Sequence, residues 1–151
     1  MSCRRTQKEE VIMVHIIVGE KGKGKTKILL DKANGVLAES KGSVVYLDKS
    51  NKHMYELNNK IRLINVKDFM VENSSEFLGF LCGIISQDHD LEVVFLDSFL
   101  KVACLTPETM EPVVQKLKVI SEAFHVDFML SVSMSKDELP ESLAECVMVA
   151  L

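Results

Sequence analysis

Eight consecutive residues of this chain place glycines, lysines and a threonine in an order that suits phosphate binding. Residues 19–26 read GEKGKGKT and fit the pattern G-x-x-x-x-G-K-[ST] at every fixed position. A phosphate-binding loop must direct successive backbone N–H groups at one anion, and glycines permit this because they have no Cβ. Lys25 would add positive charge at the β- and γ-phosphates, and the Thr26 hydroxyl would ligate Mg²⁺. The spacing therefore predicts a site for a nucleoside triphosphate with magnesium.

The same segment predicts which residues contact the nucleotide. A helix that starts after the loop would direct its positive N-terminal end at the phosphates. The alternative is a flexible, solvated basic loop, and solvation explains the side chains of Lys21 and Lys23 as well as phosphate contact does. The predicted cofactor-binding residues are Gly19, Glu20, Lys21, Gly22, Lys23, Gly24, Lys25, Thr26 and Lys27.

A carboxylate is needed to complete the magnesium site. Asp97 follows the apolar residues 93–96, so it would lie where a buried strand ends. Ligands of parallel α/β sheets bind beyond the carboxyl ends of the strands. We therefore predict Thr26 and Asp97 as metal ligands, against the alternative that Asp97 only marks a strand entering its loop.

The elements that must position these residues can be read from hydrophobic periodicity. Apolar, β-branched runs predict buried strands, and apolar residues at helical spacing predict helices between them. This alternation indicates an α/β fold, a three-layer sandwich with a mostly parallel central sheet of five to six strands. The predicted strands are residues 11–18, 43–48, 61–66, 92–97, 126–133 and 146–151, with 61–66 at an edge.

Helix ends carry their own signals. The spacing of Asn73 and Glu76 predicts the start of a helix whose buried face extends to Ile85, and Gly42 suits the end of the first helix. Pro107 and Pro112 mark two alternative starts for a third long helix, since proline is accepted in a first turn. Ser135 and Glu138 form a second capping pair.

Together, the loop and the strand pattern resemble the P-loop NTPases, and the strand order is similar to the RecA-like branch, as a minimal ATPase core. The loop is the specific motif in this resemblance. Many members have glutamate after the strand-end aspartate, where this chain has Ser98. The resemblance implies that Asp48, at the end of the second strand, is the candidate catalytic base beside Lys25; the alternative is a solvated loop carboxylate or a helix cap. It also implies a γ-phosphate sensor at Ser131 or Ser133.

Length and composition limit the number of domains, the partners and the cellular compartment that can be expected. With 151 residues and 47% apolar content, residues 11–151 suffice for one nucleotide-binding domain, preceded by a polar tail, residues 1–10, expected to be disordered. A net charge of −4 gives no indication of nucleic-acid binding. The sequence has no apolar run long enough to span a membrane and no secretory signal, and its four cysteines suggest reduced core thiols. We expect a cytoplasmic protein.

The sequence favours one function and leaves others open. We predict Mg²⁺-dependent ATP binding with slow hydrolysis, acting with a protein partner or as an oligomer. In oligomers of the RecA-like branch a neighbour's basic residue can reach the γ-phosphate; Arg62 is the one arginine beyond residue 5, although it is better explained as a surface residue of the edge strand. The alternatives are a nucleotide-binding module or switch with little hydrolysis and, less favoured, a small-molecule or nucleotide kinase. GTP is disfavoured, because Asn51-Lys52 does not continue into a guanine-reading motif.

Overall fold

The structure is a computed structural model that describes residues 13–151. The predicted polar tail, residues 1–10, and the first two residues of the predicted first strand lie outside the described residues. The strands are β1 Val14–Gly19, β2 Ser43–Asp48, β3 Arg62–Asn65, β4 Leu91–Leu96, β5 Asp127–Ser133 and β6 Val147–Ala150. The helices are α1 Lys25–Glu39, α2 Ser74–Ser86, α3 Phe99–Val102 and α4 Met110–Phe124. Short 3-10 turns lie at Met54–Glu56, Val66–Phe69, Lys136–Glu138 and Glu141–Cys146.

Within the described residues the strands form one six-stranded sheet in the order β3-β2-β4-β5-β1-β6, and all neighbouring strands are parallel. The α/β fold predicted from the sequence is therefore confirmed, with the short β3 at an edge. In this order β5 lies between β1 and β4, which were predicted to carry the loop and the aspartate. The long crossovers that parallel strands require are supplied by the helices.

Apolar side chains cover both faces of the sheet, which explains the continuous β-branched runs of the central strands. On one face, Ile17 of β1 packs in a cluster with Leu29 and Ala33 of α1. On the other face, Ile16 of β1 packs in a cluster with helices α2, α3 and α4. Helix α1 thus forms one outer layer and the other helices form the second.

The predicted helix starts are largely confirmed. The Asn73 side chain accepts a hydrogen bond of 2.9 Å from the backbone N–H of Glu76 at the start of α2. Ser135 and Glu138 form a reciprocal capping box. Helix α4 begins at Met110, so Pro112 is the proline in its first turn.

Two smaller expectations were wrong. Helix α1 ends at Glu39 with Ser40 as its cap, so Gly42 does not cap it. A Cβ at Gly42 would lie 2.1 Å from the carbonyl oxygen of Asp90, and this close approach is the reason for glycine there. Of the cysteines expected in the core, Cys82 and Cys104 are exposed, whereas Cys146 is buried.

Candidate nucleotide-binding site

The residues predicted to do chemistry lie along one edge of the sheet. Strands β1, β2 and β5 end at Gly19, Asp48 and Ser133, and Asp97 directly follows the last residue of β4. Because all the strands run in the same direction, their carboxyl ends share an edge, where ligands of such sheets bind. The parallel register, with Leu47 opposite Leu96 and Gly19 opposite Ser133, fixes the positions of these residues relative to one another.

The loop between β1 and α1 has the backbone conformation that its glycines permit. Gly22 has a φ of 87° and Gly24 a φ of 93°, both in the left-handed region that residues with a Cβ rarely adopt. A Cβ at either glycine would meet nothing within 4 Å. The glycines are therefore required by the path of the backbone and not by a lack of space.

The loop and the first turn of α1 present unpaired backbone donors. Within residues 13–151, the N–H groups of Gly22, Gly24, Lys25 and Thr26 donate to no acceptor, whereas the N–H of Lys23 bonds to the carbonyl of Glu20. Unpaired N–H groups occur at the start of every helix, but here the left-handed glycines extend the set back into the loop. Such a concave array of amides is a typical binding site for an anion.

Lys25 lies within this loop and is buried, with 7% of its surface exposed. Its Nζ donates a hydrogen bond of 3.1 Å to the carbonyl oxygen of Glu20. Burial lowers the pKa of the Lys25 ammonium from its ordinary value, and the nearby Asp97 carboxylate partly opposes this shift. An ammonium has three N–H donors, so Lys25 can hold the loop and still donate to a phosphate.

Asp97 is at the centre of a hydrogen-bond network that joins four elements. Its Oδ1 accepts hydrogen bonds from the hydroxyls of Thr26, at 3.2 Å, and Ser131, at 2.7 Å. Its Oδ2 accepts one of 2.8 Å from the hydroxyl of Tyr46. Asp97 is 2% exposed, and a buried carboxylate needs such partners. The network therefore fixes the position and orientation of the carboxylate.

Ser131 and Ser133, the two candidate sensors, have different surroundings. Ser131 is buried, and besides its bond to Asp97 its Oγ accepts a hydrogen bond of 2.9 Å from the N–H of Ser98. Ser98 has a φ of 53°, which is uncommon for a residue other than glycine. Ser133 is exposed and pairs with Gly19 at the start of the loop. Ser131 thus supports Asp97 and the turn after it, whereas Ser133 borders the loop.

Asp48, the predicted base, is 2% exposed. Its Oδ1 accepts a hydrogen bond of 2.7 Å from the N–H of Lys49, while its Oδ2 is buried and has no hydrogen-bond partner in the protein. Desolvation, with a smaller contribution from the Asp97 carboxylate, raises the pKa of Asp48 to about 6. A buried carboxylate oxygen without a donor indicates that Asp48 has bonding capacity left for a ligand or a water molecule.

Other predicted residues lie at the edges of the site. Lys21 and Lys23 are exposed, and the Lys27 side chain forms an exposed ion pair of 3.5 Å with Asp31. Arg62 is exposed on β3, three residues before the strand ends. It lines a groove of about 240 Å³ near the start of β2 and the end of α2, away from the loop. Within one molecule, Arg62 is therefore not a neighbour of the candidate site.

Tyr46 is the residue of this network that sequence reasoning missed. It is fully buried and stacks on Phe95, with ring centroids 6.0 Å apart. Burial, together with the Asp97 carboxylate, raises the pKa of the Tyr46 hydroxyl, which therefore remains a donor. The available signal was that a buried tyrosine needs a hydrogen-bond partner and that Tyr46 precedes Asp48 by two residues on the same strand.

The donors of the site fit a magnesium–nucleotide complex. Magnesium prefers oxygen ligands, and the Thr26 hydroxyl and the Asp97 carboxylate oxygen meet 3.2 Å apart. The unpaired amides of the loop suit phosphate oxygens. Among the described residues there is no group of three or more His, Cys, Asp or Glu side chains able to hold a metal ion by themselves. Magnesium bound at Thr26 and Asp97 would therefore complete its coordination with phosphate oxygens or water.

The strand order and the helices between the strands define an α/β fold with a parallel sheet, in which a glycine-rich loop connects β1 to α1. No protein-family model matches this chain, and no curated protein matches its sequence. The chain is similar in structure to the flagellar accessory protein FlaH from Methanocaldococcus jannaschii, with a TM-score of 0.52 and 18% sequence identity. The similarity covers 88% of this chain and 65% of the FlaH chain. At this identity the likeness supports the fold alone.

Within residues 13–151, none of the helices has the length and apolar character needed to cross a membrane.

Proposed function

We propose that this chain binds ATP with Mg²⁺ at the carboxyl edge of its sheet and hydrolyses it slowly, as a minimal RecA-like ATPase core. The observation that carries this proposal is the hydrogen bond of 3.2 Å between Thr26 Oγ1 and Asp97 Oδ1. These residues are 71 positions apart, and each was selected from a separate sequence feature. Their contact places a loop suited to phosphate beside a carboxylate suited to magnesium.

The loop would bind the phosphates through charge and backbone donors. The N–H groups of Gly22, Gly24, Lys25 and Thr26 would donate to phosphate oxygens, and the Lys25 ammonium would contact the β- and γ-phosphates. Because the Lys25 side chain is already held at the Glu20 carbonyl, little side-chain entropy would be lost on binding. Lys27, whose side chain pairs with Asp31, would contribute only its backbone N–H.

The oxygen atoms of Thr26 and Asp97 would hold the magnesium ion. When bound there, Mg²⁺ would neutralise charge that develops on the phosphate oxygens during transfer. The hydroxyls of Tyr46 and Ser131 would keep the Asp97 carboxylate oriented toward the ion. Loss of partners of this kind typically lowers metal affinity roughly 10- to 100-fold.

Asp48 would act as the general base. Its unpartnered Oδ2 lies at the end of β2, next to the strand that precedes Asp97, and can accept a hydrogen bond from water. A base with a pKa of about 6 is largely ionised at pH 7 and can take a proton from the attacking water. Ser133, at the border of the loop, is the candidate sensor with the exposure needed to contact a phosphate, and Ser131 would act through Asp97.

A second candidate function is a nucleotide-binding switch with little hydrolysis. The residue after Asp97 is Ser98, a serine, so that position has no carboxylate to orient a water molecule. Its backbone N–H donates a hydrogen bond to Ser131 Oγ. If Asp48 accepts the hydrogen bond from the Lys49 N–H but takes no proton from water, ATP would be hydrolysed very slowly. Bound ATP would then persist and act as a signal for a partner. A kinase is less well supported, because the one arginine of the described chain, Arg62, lies away from the loop.

Both candidate functions are expected to act through a partner. We propose a protein partner or a second copy of the chain; the structural neighbour FlaH is itself named a flagellar accessory protein. Selectivity for adenine is inferred from the absence of guanine-reading motifs in the sequence.

Calorimetric titration of ATP, ADP and GTP, with and without Mg²⁺, tests the proposal. Wild-type protein is expected to bind ATP more tightly with Mg²⁺ than without it, and GTP less tightly. The variant Lys25→Ala is expected to lose nucleotide binding. The variant Lys27→Ala is the matched control, since it removes a neighbouring lysine whose ammonium is paired with Asp31. Unchanged ATP affinity in Lys25→Ala would remove the phosphate-binding role of the loop. Single-turnover hydrolysis then separates the ATPase from the switch.

A further inference from the structure

A groove of about 240 Å³ lies between the edge strand β3 and helix α2, away from the candidate nucleotide-binding site. Strand β3 contributes Arg62 and Ile64 to its lining, and α2 contributes Phe80 and Ile84. The first residues of β2 also line it, so the groove lies near the amino-terminal end of that strand, whereas Asp48 lies at the carboxyl-terminal end. The proposed ATPase activity makes no use of this groove.

Part of the groove wall is aromatic surface that is open to solvent. The ring of Phe69 packs on the ring of Phe80, with centroids 5.4 Å apart, yet 54% of Phe69 is exposed. Ile84 and the buried Ile64 add aliphatic surface to the lining. Apolar surface in a concave site is typical of ligand-binding sites, because a ligand can remove that surface from water. The groove is therefore suited to an apolar group of a ligand.

Side chains of both charges line the same groove. Arg62 is exposed, and Lys60 lies two residues before it. Asp88 follows the C-terminal cap of α2, and its Oδ1 accepts a hydrogen bond of 3.0 Å from the N–H of Asp90. Within residues 13–151 the side chains of Lys60 and Arg62 form no hydrogen bond or ion pair, and Asp88 forms no ion pair. The guanidinium of Arg62 and the Oδ2 atom of Asp88 can therefore still bind a ligand.

The charges and the size of the groove limit the kind of ligand that fits. A simple anion would be repelled by Asp88, and a simple cation would be repelled by Arg62 and Lys60. A zwitterion avoids both penalties, because its carboxylate can accept two hydrogen bonds from the Arg62 guanidinium while its ammonium pairs with Asp88. The groove is smaller than the roughly 300–1,000 Å³ of pockets that bind drug-sized molecules, which favours a ligand of amino-acid size.

We propose that this groove binds a free α-amino acid with an apolar side chain. The ligand carboxylate contacts Arg62, with Lys60 adding positive charge, and the ligand ammonium contacts Asp88. The ligand side chain packs on Phe69 and Phe80. None of these residues belongs to the candidate nucleotide site, so the inference is independent of the proposed function. The other possible occupants are an apolar carboxylate, an apolar amine and a second copy of this chain.

Three related probes separate the contributions of the two charges. Phenylalanine carries both charged groups, phenylpropanoate lacks the ammonium, and phenylethylamine lacks the carboxylate. Each probe is titrated into the nucleotide-free protein, and NMR follows the backbone amide signals of residues 43–45 and 62–64, because chemical shifts report even weak binding. Phenylalanine is expected to bind the wild type roughly 10-fold more tightly than either analogue, since each analogue leaves one charged group of the groove unpaired.

Two variants remove one charge each. Arg62→Gln is expected to weaken the binding of phenylalanine and phenylpropanoate roughly 10-fold and not to weaken that of phenylethylamine. Asp88→Asn, which keeps an oxygen to accept the Asp90 N–H, is expected to weaken phenylalanine and phenylethylamine but not phenylpropanoate. Lys67→Gln and Asp90→Asn are the matched controls, because they remove exposed charges that do not line the groove.

The proposal is overturned if phenylalanine at millimolar concentration does not shift the groove amides, or if either analogue binds the wild type as tightly as phenylalanine does. Self-association in sedimentation velocity that Arg62→Gln abolishes would also overturn it, and would assign the groove to a second copy of the chain. Because the substituted side chains are exposed or partly exposed, the variants are expected to fold as the wild type does. No readout involves a nucleotide, so the proposed function and this proposal can fail separately.

Discussion

The Tyr46 hydroxyl donates a hydrogen bond of 2.8 Å to Oδ2 of Asp97, although the two residues are 51 positions apart on the chain. Tyr46 is fully buried and packed against Phe95, so its ring cannot move away without opening the core. Thr26 and Ser131 bond the other carboxylate oxygen. Asp97 is therefore held by hydroxyl donors from both sides, and a change at Tyr46 frees one of its oxygens without touching the loop.

The variant Tyr46→Phe is expected to weaken the dependence of nucleotide binding on magnesium. Loss of a partner that orients a metal-binding carboxylate typically lowers metal affinity by about 10-fold or more. Titrating Mg²⁺ into the ADP-saturated protein measures this affinity. Tyr55→Phe is the control, because Tyr55 is the other tyrosine of the chain and is 92% exposed. An Mg²⁺ affinity equal to that of the wild type in Tyr46→Phe would show that Asp97 does not need this bond.

The variant Asp48→Asn is expected to lower the single-turnover rate of ATP hydrolysis by roughly 100-fold, because an amide cannot accept a proton from water. In the wild type, the rate is expected to rise with pH around the pKa of Asp48, about 6, as the carboxylate ionises. The variant should lack this rise. Asp90→Asn serves as the control, since Asp90 is an exposed carboxylate. Hydrolysis by Asp48→Asn as fast as by the wild type would exclude Asp48 as the base.

The sequence predicted those parts of the site that depend on local patterns. The glycine spacing predicted a loop between a strand and a helix, and in that loop Gly22 and Gly24 have positive φ. The apolar run before Asp97 predicted its place at a strand end. Both follow from the conformational preferences of a few neighbouring residues. The roles of Lys25, Asp48 and the metal ligands in catalysis remain predictions.

Contacts between distant segments could not be predicted in the same way. Tyr46 meets Asp97 because β2 pairs with β4 in one register. The sequence of β2 does not indicate which strand it pairs with. Ser131, not Ser133, bonds Asp97; the two serines are two residues apart on the same side of β5, so the strand pattern alone could not distinguish them. The short helix α3 begins after a left-handed Ser98, which no pattern indicated.

Gly42 is a case where one residue allows two backbone segments to approach. The carbonyl of Asp90 accepts a hydrogen bond of 2.8 Å from the N–H of Ser43, directly after Gly42. A Cβ at Gly42 would lie 2.1 Å from that carbonyl oxygen, so Gly42→Ala is expected to destabilise the protein by about 1–3 kcal/mol. Urea unfolding measures the change. Gly35→Ala is the control: its Cβ meets open space within α1, and alanine favours a helix by about 0.5–1 kcal/mol. A Gly42→Ala protein as stable as the wild type would mean that the backbone segments at Gly42 and Asp90 can move apart to accommodate the methyl group without loss of stability.

Asp48 also makes the stability of the fold depend on pH. Its pKa is raised from 3.8 to about 6 in the folded protein, mainly by desolvation, so the folded state holds the Asp48 proton more tightly than the unfolded chain does. The stabilising effect of this proton is fully present below pH 3.8 and is lost as pH rises through about 6. Above that pH the folded protein must keep a charged carboxylate buried.

Asp48→Asn is therefore expected to raise the free energy of unfolding at pH 7 by up to about 3 kcal/mol and to leave it unchanged near pH 3.5. The buried amide stays neutral at both values. Urea unfolding of the nucleotide-free protein at the two pH values measures the difference. Asp90→Asn is the control: because the Asp90 carboxylate is exposed, this variant should change the free energy of unfolding only slightly, and by a similar amount, at both pH values. If Asp48→Asn were less stable than the wild type at pH 7, the Asp48 carboxylate would be stabilised in its charged form by its surroundings. Its assignment as a base with a raised pKa would then be wrong.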